Sequence, residues 1–229
     1  MSTKVVKKTK IKLVNFFKVL LFLIGLFLCC FYLIRERVHN IVILGTSYLE
    51  DDYLIDLANI RDYPEFVLLN PHAISKRIEK SPYVFSCKIH KRIGFVLELD
   101  VVENRPLFFD TNQNVYTFDR EDTAPKEEIS NSFRVPRLLN YVPDNKFSKF
   151  IKGMKNIDQD TLSKISDIEY QPNDYDKDRF LLYMDDGNLV YLTLTKFKMI
   201  NKYNEVLSQL EGHKGILYLD SGNHFQIKE

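Results

Sequence analysis

The sequence has few cysteines, and this scarcity limits how the chain can be held together. Only three occur among 229 residues: Cys29, Cys30 and Cys87. The first two lie in one long apolar run, so the rest of the chain has a single thiol and cannot form an internal disulfide. The Asn-x-Ser/Thr signal for glycosylation is also absent. The folded part must therefore be stabilised by its hydrophobic core alone. The lack of both disulfides and glycosylation signals favours a bacterial envelope protein over a eukaryotic secreted one.

Recognised catalytic motifs are missing as well. The chain contains no Gly-x-Ser-x-Gly, no phosphate loop ending in Gly-Lys-Ser/Thr, no His-Glu-x-x-His and no Cys-x-x-Cys. The histidines are scattered without ligand spacing, at positions 39, 72, 90, 213 and 224. The sequence therefore predicts no enzyme, no catalytic residue and no cofactor.

Two short clusters resemble metal sites, but their spacing argues against that function. Cys87 and His90 are three positions apart on a predicted strand, so their side chains point to opposite faces, and Cys87 is expected to be a small core residue. Asp174, Asp176 and Asp178 resemble the start of a calcium loop, yet Arg179 stands where that loop needs glycine. We therefore predict no metal ligands.

Positive charge is concentrated at the N-terminus. The first 37 residues contain eight basic residues and one acidic residue, a local net charge of +7. Because the whole chain carries +1, residues 38–229 carry −6. This acidic balance argues against nucleic-acid binding, for which a basic face is the usual requirement.

A long apolar run follows the basic tail. Residues 13–34 contain one charge, Lys18, and as a helix would span about 33 Å, the thickness of a bilayer core. The lysine excess places residues 1–12 in the cytoplasm by the positive-inside rule. A cleaved signal peptide is the rival interpretation, but the run ends in bulky residues rather than at a small-residue cleavage site. We predict an uncleaved single-pass anchor of type II, with most of the chain outside the cytoplasm.

Beyond the anchor, the pattern is strand, helix, helix, strand, strand. A strand is predicted over 38–44, a helix over 49–60, and a second helix from Pro71. Residues 90–94 are predicted to form the turn between the last two strands. Alternation indicates one shared face for each of these strands: Tyr83, Phe85, Cys87 and Ile89, then Phe95, Leu97, Leu99 and Val101. Two helices would thus cover one face of a three-stranded sheet.

The second half begins with a predicted strand, turn and strand over 108–116. The polar stretch 119–132 is predicted to be a mobile loop. Asp144 is expected to cap a helix over 147–154. The spacing of three apolar residues suggests a further helix: Leu162, Ile165 and Ile168.

The C-terminal part contains a strong hairpin signal, Asp186-Gly187 between two apolar runs. A last helix ends near Gly212, and short strands are predicted over 215–219 and 224–227. Because the final strand is short and lies at the chain end, it is expected at a sheet edge. An edge offers unpaired N–H and C=O groups that an incoming peptide can complete.

The order and spacing of several short segments resemble the FtsQ/DivIB family of bacterial cell division proteins. These segments are Ile41–Gly45, Ile78–Val84, Leu97–Glu103 running into Pro106, Val135–Leu138 and Leu219–Gly222. The resemblance implies an α+β fold: a transmembrane helix, a POTRA domain of β-α-α-β-β order, and a mixed or antiparallel β-rich domain with flanking helices. The implied ranges are 1–12 for the tail, 13–34 for the anchor, 38–106 for the POTRA domain and 107–229 for the β domain.

The resemblance also implies a function, that of a non-catalytic scaffold at the division septum. Its expected partners are the membrane proteins FtsB/DivIC and FtsL, with other division proteins docking on the POTRA domain. No nucleic acid and no small-molecule substrate is expected. The expected partner-binding residues are Tyr218, Leu219, Asp220, Ser221, Gly222, Asn223, Phe225 and Ile227.

Three alternatives remain open at this point. Leu219, Phe225 and Ile227 could simply pack the core of the second domain. The chain could instead be a POTRA-bearing component of polypeptide transport or a chaperone of the cell envelope. A membrane-anchored cell-wall enzyme is the third possibility, although it would need a catalytic constellation that the sequence does not offer.

Overall fold

The computed structural model describes residues 13–126, 133–210 and 212–228. Its first element is helix α1, Leu13–Arg35, close to the predicted span. Residues Asn15–Arg35 are long and apolar enough to cross a membrane, and none of the described chain packs against them. The predicted basic tail, residues 1–12, lies outside the described residues.

A three-stranded sheet with two helices follows α1. Its elements are β1 (Asn40–Leu44), α2 (Asp51–Ala58), α3 (Pro71–Ile78), β2 (Val84–Arg92) and β3 (Val96–Glu103). Strand β3 lies in the middle, parallel to β1 and antiparallel to β2. The predicted order of strand, helix, helix, strand, strand is confirmed.

Helices α2 and α3 cover one face of this sheet. Helix α3 begins at Pro71, as the sequence predicts. The side chain of Asn70 caps this end by accepting hydrogen bonds from the backbone N–H groups of residues 72 and 73. Leu54, Ile74 and Ile78 pack against the sheet and are fully buried or nearly so. Cys87 joins the same core, which confirms its structural role, and burial raises the pKa of its thiol to about 12.

The predicted alternation along β2 is wrong at one point. A β-bulge between Val84 and Ser86 shifts the register, so Val84 and Cys87 face the core while Phe85 is exposed. The turn is also shorter than predicted. Strand β2 continues to Arg92, and Phe95 belongs to the loop, with a φ of 59° that removes it from the strand.

The rest of the described chain forms a second sheet of nine strands together with the helices that connect them. The strands are β4 (Pro106–Asp110), β5 (Val115–Phe118), β6 (Thr123–Pro125), β7 (Arg137–Leu138), β8 (Ile165–Tyr170), β9 (Arg179–Met184), β10 (Leu189–Thr193), β11 (Gly215–Tyr218) and β12 (His224–Ile227). Their spatial order is β12-β11-β10-β9-β8-β7-β4-β5-β6. The helices are α4 (Asp144–Lys155), α5 (Gln159–Leu162), a 3-10 segment (Leu194–Lys202) and α6 (Tyr203–Gln209).

Two helix predictions in this half need correction. Only Leu162 of the suggested second helix is helical, in the single turn α5; Ile165 and Ile168 lie in β8. A bulge between Ile165 and Asp167 lets both Ile165 and Ile168 face the core. Buried residues three positions apart are typical of a helix, although these two lie in a strand. Asp144 is the first residue of α4 rather than its cap, and its carboxylate accepts a hydrogen bond from Tyr141.

The stretch predicted as a mobile loop is partly structured. Its residues Thr123–Pro125 form β6, which pairs with β5. Arg120 donates to the carbonyls of Glu79 at 3.0 Å and Val84 at 2.7 Å, so it ties the second sheet to the first. Residues 127–132 of this stretch lie outside the described residues.

The two sheets meet in a small aromatic cluster. The Tyr83 and Phe118 rings make an edge contact at 5.5 Å, and both are buried. Beside them, the Glu103 carboxylate accepts hydrogen bonds from three successive backbone N–H groups, those of residues 47–49, at 2.8–2.9 Å. The end of β3 is therefore fixed to the segment just before α2. The second sheet begins three residues after this point, at Pro106.

Candidate partner-binding edge

The two edges of the nine-stranded sheet differ in how they are protected. Strand β6 has three residues and ends in Pro125, which has no N–H to offer an incoming strand. Strand β12 forms the opposite edge and contains no proline. The predicted edge position of the C-terminal strand is confirmed, and this is the edge without a proline block.

The backbone groups of β12 divide into two sets. Lys228 N–H donates to the Lys214 carbonyl at 2.8 Å, so these two residues form a hydrogen-bonded pair. Such pairs alternate along an antiparallel ladder, which places Gln226 in the same set, facing β11. Phe225 and Ile227 consequently direct their N–H and C=O groups away from the sheet. Two residues thus present free backbone groups at this edge.

Strand β11, which carries β12, is anchored by a buried polar network. The Asn188 side chain is fully buried and accepts a hydrogen bond from Gly215 N–H at 2.9 Å. Its amide group donates to Tyr203 Oη at 2.8 Å and to Asp186 Oδ2 at 3.0 Å. Tyr203 donates to the same Asp186 oxygen at 2.7 Å. Burial, and next the hydrogen bond to Asp186, raises the pKa of Tyr203, so its hydroxyl remains a donor.

The turn that joins β11 to β12 is fixed by charge. Asp220 pairs with Arg179 at 2.8 Å, and both side chains are largely buried. Lys196 adds a hydrogen bond from its ammonium group to the Asp220 carbonyl at 3.1 Å. The backbone N–H groups of Leu219 and Asp220 both donate to the Tyr191 carbonyl. The turn is therefore held to the neighbouring strands from two sides.

The predicted partner-binding residues fall into three groups in the structure. Leu219 is 6% exposed and belongs to the core, and Asp220 is occupied by Arg179, so neither side chain is presented to solvent. Phe225 is half-buried and packs partly against the core. The other members are half-buried or exposed: Tyr218, Ser221, Gly222, Asn223 and Ile227. The core-packing alternative thus describes Leu219, applies in part to Phe225, and does not describe Ile227, which is 54% exposed.

A row of rings that the sequence did not predict crosses four strands to this edge. The Arg179 guanidinium lies 3.5 Å above the Tyr191 ring, Tyr191 stacks on Tyr218 at 5.4 Å, and Tyr218 stacks on His224 at 4.7 Å. These rings are cross-strand neighbours in register. No local sequence pattern predicts this row, because it depends on the parallel pairing of β10 with β11, which requires a long crossover.

On the other face, a cavity of about 200 Å³ adjoins the same hairpin. Its lining is mainly apolar and comes from the 3-10 segment, α6, β11 and the turn: Met199, Lys202, Tyr203, Val206, Leu217, Leu219 and Asn223. The edge therefore has a ring system on one face and an apolar recess on the other. Such pockets beside an open strand can distinguish the side chains of an added strand.

Gly215 is required by close packing at this hairpin. A Cβ atom there would lie 2.0 Å from the Gln226 carbonyl oxygen and 2.9 Å from a Phe225 ring carbon. We expect Gly215→Ala to push β12 away from β11 at a cost of about 1–3 kcal/mol. Hydrogen exchange of the amides that face β11, those of His224, Gln226 and Lys228, should speed up while that of residues 40–103 stays unchanged. Gly25→Ala, at a position with nothing within 4 Å, is the matched control. Equal exchange in the two variants would contradict the prediction.

Comparisons with known proteins identify the class of the fold. The family model "POTRA domain, FtsQ-type" matches residues 36–104. The cell division protein DivIB of Bacillus subtilis (strain 168) is 25% identical over 196 residues, covering 83% of this chain and 74% of that protein. DivIB of Geobacillus kaustophilus (strain HTA426) is 22% identical over 200 residues, covering 82% and 74%. A solved extracytoplasmic domain of DivIB from Geobacillus stearothermophilus matches at a TM-score of 0.38 and 19% identity, over 48% of this chain and 95% of that domain.

These features define a single-pass membrane protein with a POTRA domain: one apolar helix, the FtsQ-type POTRA match over the first sheet, and a β-rich remainder. The chain is similar to the FtsQ/DivIB family of bacterial cell division proteins, over its POTRA domain by the family model and over most of its length by the DivIB relatives. The family resemblance and the fold class predicted from the sequence are thereby confirmed.

Proposed function

We propose that this protein is a non-catalytic scaffold of the division machinery that captures extended segments of other division proteins on strand β12. The observation that supports it most directly is the open edge at Phe225 and Ile227. Each free N–H and C=O pair there can continue the sheet into an added strand. The opposite edge, blocked by Pro125, offers no comparable site.

The partners that the family resemblance suggests are FtsB/DivIC and FtsL. Both would approach from the same membrane, which fits a scaffold that is itself anchored there by α1. We further propose a type II orientation, because the basic residues precede α1 and favour a cytoplasmic N-terminus. The acidic balance of residues 38–229 and the absence of any group of three potential metal ligands among the described residues are compatible with a binding role.

The experiment is purification of the tagged full chain from membranes, together with its localisation in dividing cells. We expect FtsB/DivIC and FtsL to co-purify and a fluorescent fusion to concentrate at mid-cell. A chain that ends at Asn223, and so lacks only β12 and the last two residues, should keep the membrane association and lose the partners. Even distribution of the full chain along the envelope, with neither partner retained, would refute the scaffold. Equal retention of unrelated unfolded polypeptides would instead favour the transport or chaperone class.

A further inference from the structure

Exposed apolar side chains cluster in two loops at one end of the POTRA domain. The loop after α2 exposes Tyr63 and Val67, each at 45%, and Leu68 at 68%. The loop between β2 and β3 exposes Ile93 completely, at 103%. Large apolar side chains that share one exposed surface are unusual on a soluble domain and indicate a binding surface.

Contacts between the two loops hold them in one place. Lys91 donates from its ammonium group to the Val67 carbonyl at 3.0 Å and lies 5.3 Å from the centre of the Phe66 ring. The Phe66 ring in turn meets Phe95, two residues after Ile93, at 5.5 Å. We call the surface formed by residues 61–68 and 91–95 the base of the domain.

The base is tied directly to the end of the membrane helix. Helix α1 ends at Arg35, and the next residue, Glu36, accepts a hydrogen bond from Phe66 N–H at 2.9 Å. Val38 N–H donates to the Pro64 carbonyl at 3.0 Å, and His39 N–H to the Phe95 carbonyl at 2.9 Å. At about 3.6 Å per residue, the base lies on the order of 10–15 Å from the end of α1, whatever the angle of that helix.

The chemistry of the base suits a lipid headgroup layer. The base and residues 35–39, which join it to α1, contain five basic residues. Two of them, both arginines of the base, pair with acidic side chains, whereas Arg35, Arg37 and Lys91 form no ion pair among the described residues. Cations without an acidic partner favour anionic lipids, and aromatic rings such as Tyr63 favour the interface between headgroups and acyl chains. The anchor also keeps this surface permanently close to the bilayer, which raises the effective concentration of lipid above that of any soluble partner.

We propose that the base of the POTRA domain is a membrane-contact surface that rests on the phospholipid headgroups around the anchor, with Leu68 and Ile93 inserted among them. Strand β3 starts at this base and ends at Glu103, where the nine-stranded sheet is attached. Contact at the base would therefore set the height and direction in which the rest of the ectodomain, including β12, projects from the bilayer.

The absence of tryptophan from the chain allows a direct test. Ile93→Trp and Leu68→Trp each give a single fluorescent reporter in the full chain, reconstituted in vesicles of phosphatidylcholine and phosphatidylglycerol that contain a lipid with a nitroxide near the headgroup. Tyr175→Trp is the control, since Tyr175 is 101% exposed in the loop between β8 and β9. We expect blue-shifted emission and severalfold stronger quenching for the two base reporters. Quenching equal to that of the control would overturn the proposal.

A second variant separates adhesion from mere proximity. In the Leu68→Trp chain, the added substitution Ile93→Asp should reduce quenching at position 68 at least twofold, because a charge at the loop tip opposes insertion. The fold should be unaffected, since the Ile93 side chain has no packing to lose. Undiminished quenching would mean that the anchor alone holds the loop near the lipid, and the proposed contact surface would be wrong. Neither outcome depends on partner capture at β12.

Discussion

Replacing Ile227 with proline is expected to weaken partner capture strongly while leaving the sheet intact. The Ile227 N–H faces away from β11, so a proline there removes no bond of the existing ladder. It does remove a donor that an added strand would use, and its ring occupies the space of that strand. We expect a loss of at least about 2 kcal/mol, roughly thirtyfold in Kd, for a detergent-solubilised FtsB/DivIC–FtsL complex.

The matched control is Ile227→Val, which keeps the N–H and the strand preference and removes one methylene group. Its cost should stay below about 0.8 kcal/mol, or fourfold in Kd. If both variants bind as the natural chain does, β12 is not the site of strand addition. If valine weakens binding as much as proline, the side chain rather than the backbone makes the decisive contact. Hydrogen exchange of residues 215–218 checks that β11 is undisturbed in each case.

The parts of the fold that the sequence predicted rest on local patterns. The apolar run of α1, Pro71 at the start of α3 and Asp186-Gly187 between β9 and β10 each carry their own signal within a few residues. The edge position of β12 was also predicted, and the strand order of the described residues agrees with it. Family resemblance then added the order of the two domains.

The incorrect predictions for β2 and β8 concern places where tertiary structure interrupts the regular alternation of buried and exposed residues. Two β-bulges, at Val84/Ser86 in β2 and at Ile165/Asp167 in β8, each insert one residue and reverse the alternation beyond it. The second bulge makes Ile165 and Ile168 resemble one face of a helix. No composition rule signals a bulge, since it depends on how the partner strand is held.

The candidate site was predicted as a segment but not as an arrangement. Burial differs within residues 218–227: Leu219 packs in the core, whereas Ile227 is exposed. The residues that hold this segment in place, Asn188 and Arg179, are about 30 to 40 positions away in sequence. Only the parallel pairing of β10 with β11 brings them to the edge. Their importance could not be inferred without that topology.

Replacement of Asn188 by leucine is expected to release the β11–β12 hairpin from the sheet. Leucine at the fully buried position 188 leaves the Gly215 N–H without its acceptor, and it deprives Tyr203 and the half-buried Asp186 of a donor. Buried polar groups that lose their partners cost about 1–3 kcal/mol each, so we expect a loss of about 2–4 kcal/mol. Hydrogen exchange should accelerate over residues 212–228, and partner capture should fall with it, while residues 40–103 exchange as before.

Asn188→Asp serves as the control because it preserves shape and the acceptor for Gly215 while placing a second carboxylate 3.0 Å from Asp186. Repulsion between the two carboxylates raises the pKa of the pair above its value in the unfolded chain. The pair therefore binds more protons in the folded state, and stability should rise as the pH falls through that raised pKa. The leucine variant has no such group and should remain destabilised across the same pH range. A leucine variant with unchanged exchange over 212–228 would show that the hairpin is held by its apolar contacts and by the Arg179–Asp220 pair rather than by Asn188.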